Sequence, residues 1–189
     1  MPKVGMEAPR RAALVQATVA EVGAAGSLDV SVAQIARRAG MSSALAHHYF
    51  GSKQRIFSAA MRYILTAYGN SVRARLAVAA TPRERVEAIV AASLDAEQFA
   101  AQTVSAWLQF YVYAQTEPEA ARLLSIYIRR LRSNLVHALK PDFGDAAHDT
   151  AEGVAALIDG FYIRHALRGA TPDARQMQRI IASYLDGAA

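Results

Sequence analysis

Between Ser31 and Phe57 the chain reads SVAQIARRAGMSSALAHHYFGSKQRIF, two short amphipathic runs hinged at a glycine and followed by a third helix start. Ser31 stands where an N-cap belongs. Gln34, three residues on, closes a capping box in which each side chain satisfies a backbone N–H that a helix leaves without a partner. Val32, Ile35, Ala36 and Ala39 repeat at helical spacing, and Gly40 ends the run because glycine turns sharply at positive φ without steric cost. Ser42 or Ser43 opens the second run, in which Leu45 and Phe50 can face the first. That leaves Ser43, Ala44, His47, His48 and Tyr49 near its exposed end. Two short helices crossed at a glycine turn form a helix-turn-helix, and the second has the width of a major groove. The pattern predicts double-stranded DNA as a partner.

The rest of the chain is punctuated in the same way. Pro9 to about Ala25 reads as a first helix, with Val15, Val19 and Val22 on one face and Gly26 as its stop. Gly51-Ser52 breaks the chain, and a long helix follows from Ser52 or Lys53 to about Ala79, with Ile56, Ala60, Ile64 and Ala67 as its inner stripe. Thr81-Pro82-Arg83-Glu84 is a helix start with cap, Pro at the first helical position and a box-closing Glu. Further helices are predicted from about Thr103 to Gln115, from Thr116-Glu117-Pro118-Glu119 to Leu139, from Ala146 to Arg168, and from Thr171-Pro172-Asp173 to Leu185. Lys140-Pro141 and Gly169 supply stops. The reading is all-α with nine helices. Its boundary falls at residue 52: 1–52 forms a three-helix DNA-binding head, and 53–189 forms a helical body.

Charge supports the division. Residues 1–75 hold ten Lys and Arg against three acids, while the remainder is slightly acidic, giving +5 for the whole chain. A basic front on a less basic body is the footprint of a nucleic-acid-binding module. With 53% hydrophobic residues there is ample core. Cys is absent, which excludes disulfides, thiolate metal sites and a cysteine nucleophile. No apolar run approaches the ~20 residues of a membrane span and no secretory h-region opens the chain, so a soluble, cytoplasmic protein is expected.

The whole chain resembles the TetR family of bacterial transcriptional regulators. The signature is Tyr49-Phe50-Gly51-Ser52-Lys53 at the tip of the second motif helix, with His47 standing where typical members carry Tyr. Segments IARRAG (35–40), HYFG (48–51), SAWL (105–108), RRLRSNL (129–135) and AALIDG (155–160) are similar to the family's choline-responsive repressors of glycine betaine synthesis genes. Ala44 and Ala46 replace the Gly and bulky aliphatics usual there, so the operator read can differ. The resemblance implies a homodimer that places one reading helix of each subunit in successive major grooves, ~34–36 Å apart by default, and a C-terminal body that binds a small effector and dimerises. An effector that favours a wrongly spaced conformation needs only ~1.4 kcal/mol of differential affinity to shift occupancy tenfold.

Ser31, Ser42, Ser43, Ala44, His47, His48, Tyr49 and Lys53 are the DNA-contact candidates. The serines are cap residues first; the resemblance places a phosphate at Ser31, where free N–H groups and the helix dipole favour an anion. His47 and His48 point about 100° apart and cannot chelate one metal as an i, i+4 pair can. Tyr49 and Lys53 offer a phenolic donor and an ammonium to phosphate. Arg37 and Arg38 read as a solvated outer face. In the body, Trp107, Phe110 and Tyr111 form an aromatic stripe, with Phe99, Tyr113 and Tyr162 elsewhere. Such stripes are usually core, yet ring faces are also what a quaternary ammonium needs, and the resemblance brings a choline-like cation forward. Asp159, in mid-helix among apolar residues, is the candidate carboxylate, with an ion pair to Arg164 as the plain alternative. Arg129, Arg130 and Arg132 read as salt-bridge and interface residues. Gly153 and Gly160, seven apart, suggest close helix approach in a two-fold four-helix interface.

An enzyme is the competing class. H-E-x-x-H, G-x-S-x-G, the Walker loop and G-x-G-x-x-G are all missing, so no catalytic residue, metal or cofactor is expected. A regulator of the same architecture sensing lipophilic cations or another metabolite, of multidrug-efflux type, is the nearest alternative. A helical-bundle protein that never meets DNA is the last.

Overall fold

The computed structural model describes residues 6–95, 100–168 and 173–188. Phe99 and the signals at Gly169 and Thr171-Pro172 lie outside them. Among the described residues the regular structure is entirely helical: α1 (Glu7–Ala25), α2 (Val32–Arg38), α3 (Ser43–Phe50), α4 (Lys53–Leu76), α5 (Pro82–Ser93), α6 (Ala101–Tyr113), α7 (Pro118–Phe143), one 3₁₀ turn (Gly144–Ala146), α8 (Ala147–Arg168) and α9 (Ala174–Ala188). Two compact units emerge, Met1–Leu65 with Ala101–Leu123, and Thr66–Ala100 with Leu124–Ala189. No helix among the described residues is long and apolar enough to cross a membrane.

The starts follow from the caps. Ser31 Oγ accepts from Gln34 N at 3.2 Å, and Gln34 Oε1 accepts from Ser31 N at 2.7 Å. Thr81 and Glu84 repeat this box at α5, where Glu84 also accepts from Ala80 N at 2.7 Å. These backbone donors hold the Glu84 carboxyl below its ordinary range. Ser42, Ser52 and Asp173 cap α3, α4 and α9 by accepting from the N–H three residues on.

Several boundaries differ from the sequence expectation by two residues or more, α1 beginning at Glu7 and α9 running to Ala188 among them. Pro141 lies inside α7, which runs on to Phe143. A proline removes one i→i−4 bond, but here only the carbonyl of His137 loses its donor, at an exposed residue a turn from the helix end. α4 stops at Leu76 rather than Ala79 because Val78 N bonds back to Arg75 O, three residues away, tightening the last turn. α6 begins at Ala101, two residues early.

In the first unit the core gathers Leu14, Val15 and Val22 of α1, Ile35 and Ala36 of α2, Ala46 and Phe50 of α3, Ile56, Ala60 and Ile64 of α4, and Val104, Trp107 and Phe110 of α6. α1 and α6 make the most extensive helix pairing there. Gly23 is the point of closest approach: a Cβ at that position would lie 2.2 Å from the Gln102 carbonyl oxygen. In the second unit α9 presents Met177, Ile181 and Leu185 inward against the layer formed with α5 and α8.

Gly153 and Gly160 take different roles. A Cβ on Gly153 would lie 2.0 Å from the Tyr184 hydroxyl, so the chain's own α9 fills that space. Gly160 has nothing within 4 Å of the same position among the described residues.

Candidate DNA-contact surface and effector cluster

α2 ends on Gly40, whose φ of +67° lets Met41 N reach back to Ala36 O at 3.0 Å. The chain then turns straight into α3. Leu45 is half-buried rather than fully inward, while Ala46 is 0% exposed and Phe50 7%. Ala46 is therefore core and cannot read a base, which corrects its place among the residues that would alter the operator. Ala44 is exposed, and its methyl suits a thymine methyl.

The remaining candidates divide by how far their side chains are already committed. Ser31 Oγ accepts from Gln34 N and donates to Gln34 Oε1 at 2.8 Å, so its hydroxyl is used twice inside the chain. Ser42 Oγ accepts from Leu45 N at 3.2 Å, an arrangement that leaves its O–H directed elsewhere. His47 and His48 are exposed, and Ser43 and Tyr49 half-buried. His47 Nδ1 lies 3.4 Å from the Gly51 carbonyl oxygen. A ring nitrogen facing a carbonyl needs its proton there, so the neutral ring offers Nε2 as an acceptor. Lys53 rests its ammonium 5.3 Å over the Phe57 ring, in the manner of a charged head on an apolar stem. Arg38 is not a free surface cation, since its guanidinium pairs with Glu21 of α1.

Lys53 gives a direct prediction. If its ammonium neutralises one phosphate, Lys53→Ala weakens binding to every duplex alike and lowers the salt slope of log K by ~1. A salt titration read by fluorescence anisotropy measures this, and an unchanged operator affinity across it removes Lys53 from the interface.

The effector candidates fall in both units. In the first, Trp107 and Tyr111 face each other with ring centroids 5.5 Å apart, and Phe110 is fully buried. In the second, Tyr162 donates its hydroxyl to the backbone oxygen of Ser93. Ser93 Oγ, 3.1 Å from Ile89 O, stands 3.3 Å from the Tyr68 hydroxyl, and the Tyr68 ring meets Tyr127 edge-on at 5.5 Å. Burial pushes the Tyr68 phenol up to about 12; the Ser93 hydrogen bond partly offsets this, and the Asp159 charge adds the smallest contribution, a further rise. Asp159 acts on Tyr68 electrostatically, which makes Tyr68 and the Tyr127 ring packed against it additions to the candidate set. Tyr68 continues the Ile56, Ala60, Ile64 register of α4 by four residues, a signal the sequence carried. Tyr127 carried the same kind of signal, falling in the Leu123, Leu131, Leu135 register of α7.

A cavity of about 700 Å³ opens elsewhere in the second unit, lined by α4's end, α5 and α9. Arg75, Arg83, Arg175 and Arg179 stand around it; Arg75 pairs with Asp95, Arg83 with Glu87 and Asp186, and Arg179 with Asp173. The residues lining it include no aromatic ring, the feature a quaternary ammonium needs, and the tyrosine cluster is the better seat. No group of three His, Asp or Glu among the described residues is placed to hold a metal.

Comparison with known proteins adds the following. Residues 14–60 match the model of bacterial regulatory proteins of the tetR family, and residues 82–189 match that of the C-terminal region of BetI-type transcriptional repressors. The HTH-type transcriptional regulator BetI of Brucella suis is 50% identical over 186 residues, covering 98% of this chain and 94% of the relative. That of Agrobacterium fabrum is 50% identical over 190 residues, covering 98% and 91%. Among solved structures, a transcriptional regulator from Pseudomonas aeruginosa superposes with a TM-score of 0.83 at 27% identity, covering 95% of this chain and 89% of the other. One from Saccharomonospora viridis, solved in complex with choline, gives 0.84 at 22% identity, covering 95% and 96%.

Proposed function

The chain belongs to the TetR family of transcriptional regulators as a helix-turn-helix repressor with a BetI-type C-terminal region, and from that premise we propose that its operator complex is released by choline or a closely related cation. The buried rings of Tyr68 and Tyr127, meeting edge-on, with the Asp159 charge acting on the Tyr68 phenol, are the observation that carries the effector class. A quaternary ammonium cannot hydrogen-bond, so a site recognises it through ring faces and a carboxylate, and the cluster offers both. The glycine betaine synthesis genes are the targets this reading supplies.

In this reading residues 1–52 are the DNA-binding head and 53–189 the effector-binding and dimerisation body, within a nine-helix chain acting in the cytoplasm. Ser31, Ser42, Ser43, Ala44, His47, His48, Tyr49 and Lys53 make the DNA surface. Ser42 and Lys53 serve phosphate, and His47 and Ala44 face base edges. The effector candidates are Trp107, Phe110 and Tyr111 in the first unit, and Asp159 and Tyr162, joined by Tyr68 and Tyr127, in the second. The dimer forms through α8 and α9, where among the described residues nothing meets the Gly160 Cβ position and Ile163 and Ile180 are exposed apolar side chains.

The test is operator affinity with and without choline, betaine aldehyde and glycine betaine, on DNA upstream of the chain's own gene. Release by choline alone supports the reading, and release by none of the three overturns it. Trp107 is the single tryptophan of the chain, so choline near its ring changes its emission. Flat emission with choline, together with a response to bulkier lipophilic cations, favours the multidrug-type alternative.

A further inference from the structure

We propose that Arg11 is a positioning residue for operator reading: from α1 it fixes the C-terminal end of α3 and so sets the angle at which Ala44, His47 and His48 meet base edges. Two contacts make the clamp. The Arg11 guanidinium donates through Nη1 to the Tyr49 backbone oxygen, and its Cζ lies 4.4 Å over the Phe50 ring. Glu7, one turn back on α1, stands 3.7 Å from the same Nη1 and steadies it.

The need for a clamp follows from the size of α3. It has eight residues, about 12 Å of helix, and anchors through two buried side chains, Ala46 and Phe50. Its last carbonyls have no helical donors. Gly51 N takes the His47 carbonyl at 2.7 Å, and Arg11 takes that of Tyr49. A 10° tilt about the Phe50 end would carry the far end about 2 Å, enough to break a base-edge hydrogen bond. A planar guanidinium can lie on a ring while donating from its edge, and a lysine ammonium cannot. Sequence reading passes over Arg11 because its partners are 38 and 39 residues away.

The proposal rests on the reading that α3 enters the major groove, and its test separates the two. Wild type, Arg11→Lys, Arg11→Gln, Phe50→Leu and His47→Ala are titrated by anisotropy, over a salt series, against an operator selected by the wild-type protein from a randomised duplex pool and against an unrelated duplex. Thermal unfolding of each is followed in parallel. Arg11→Lys is expected to bind the operator at least ~10-fold more weakly, with unrelated-duplex affinity and salt slope unchanged, because charge is kept and alignment lost. Arg11→Gln loses the same specificity, and Phe50→Leu, which removes the ring face together with part of α3's buried anchor, loses ~3-fold.

Parallel weakening on both duplexes in Arg11→Gln, with the salt slope down by ~1 and Arg11→Lys near wild type, would make Arg11 a phosphate contact and overturn the proposal. A lowered melting temperature with an unchanged specificity ratio would make it structural only, and overturn it equally. If His47→Ala changes the ratio and Arg11→Lys does not, the clamp alone fails. If neither changes it, the groove reading of α3 fails.

Discussion

Gly23→Ala is expected to destabilise the protein by about 3 kcal/mol, the upper part of the range for overpacking a tight core. The added Cβ would sit 2.2 Å from the Gln102 carbonyl oxygen and 2.7 Å from its carbonyl carbon and Cα. All three are backbone atoms, so no rotamer change relieves the clash. α1 and α6 must part, and the contacts of Leu14, Val15 and Val22 with the α6 face loosen together. For a chain of this length the loss lowers the melting temperature by roughly 6–12 °C. Calorimetry at fixed protein concentration measures it, since a dimer's melting point moves with concentration. Gly69→Ala is the paired control. Gly69 also lies inside a helix, but among the described residues nothing stands within 4 Å of its Cβ position, and replacing it removes a flexible residue from the unfolded chain, a gain of about 0.5–1 kcal/mol. Opposite signs at two helical glycines are the expected result, and a wild-type melting point for Gly23→Ala would sink the close-crossing account.

The contrast marks what a sequence of this kind reveals. The capping boxes at Ser31 and Thr81 were legible because cap, box and apolar register lie within four residues of one another. Gly40 was legible because a turn is a local event. Gly23 was not, since its reason is a helix about eighty residues later. Ala46 misled for a related cause: a small residue on a reading helix looks available, and only the packing of α2 against α3 shows that it is buried. Pro141 misled in the other direction, because a breaker near a helix end costs one hydrogen bond, here at an exposed residue. In the effector cluster, Asp159 stood out as a charge among apolar residues. Tyr127 showed only as part of the α7 register, because its partner Tyr68 lies on another helix, almost sixty residues before it.

Asp159→Asn is expected to raise the choline concentration needed for operator release on the order of 100-fold, while operator affinity without choline stays at the wild-type value. A carboxylate about 5 Å from a cation, at the effective dielectric of ~20 that describes such sites, contributes about 3 kcal/mol. Asparagine keeps the shape and removes the charge. The choice of ligand sharpens this into a cycle: 3,3-dimethylbutanol has choline's shape with carbon in place of the charged nitrogen. The wild type is expected to prefer choline by most of that factor, because rings and carboxylate both act on the charge, and Asp159→Asn to lose the carboxylate's share. Tyr162→Phe behaves differently. It keeps the ring and withdraws the donor to the Ser93 backbone oxygen, so its cost of about 1 kcal/mol appears in stability and leaves the choline preference standing. Equal release of the wild type by the neutral isostere would mean that the site reads shape alone, and Asp159 would then be no more than a structural partner of Tyr68.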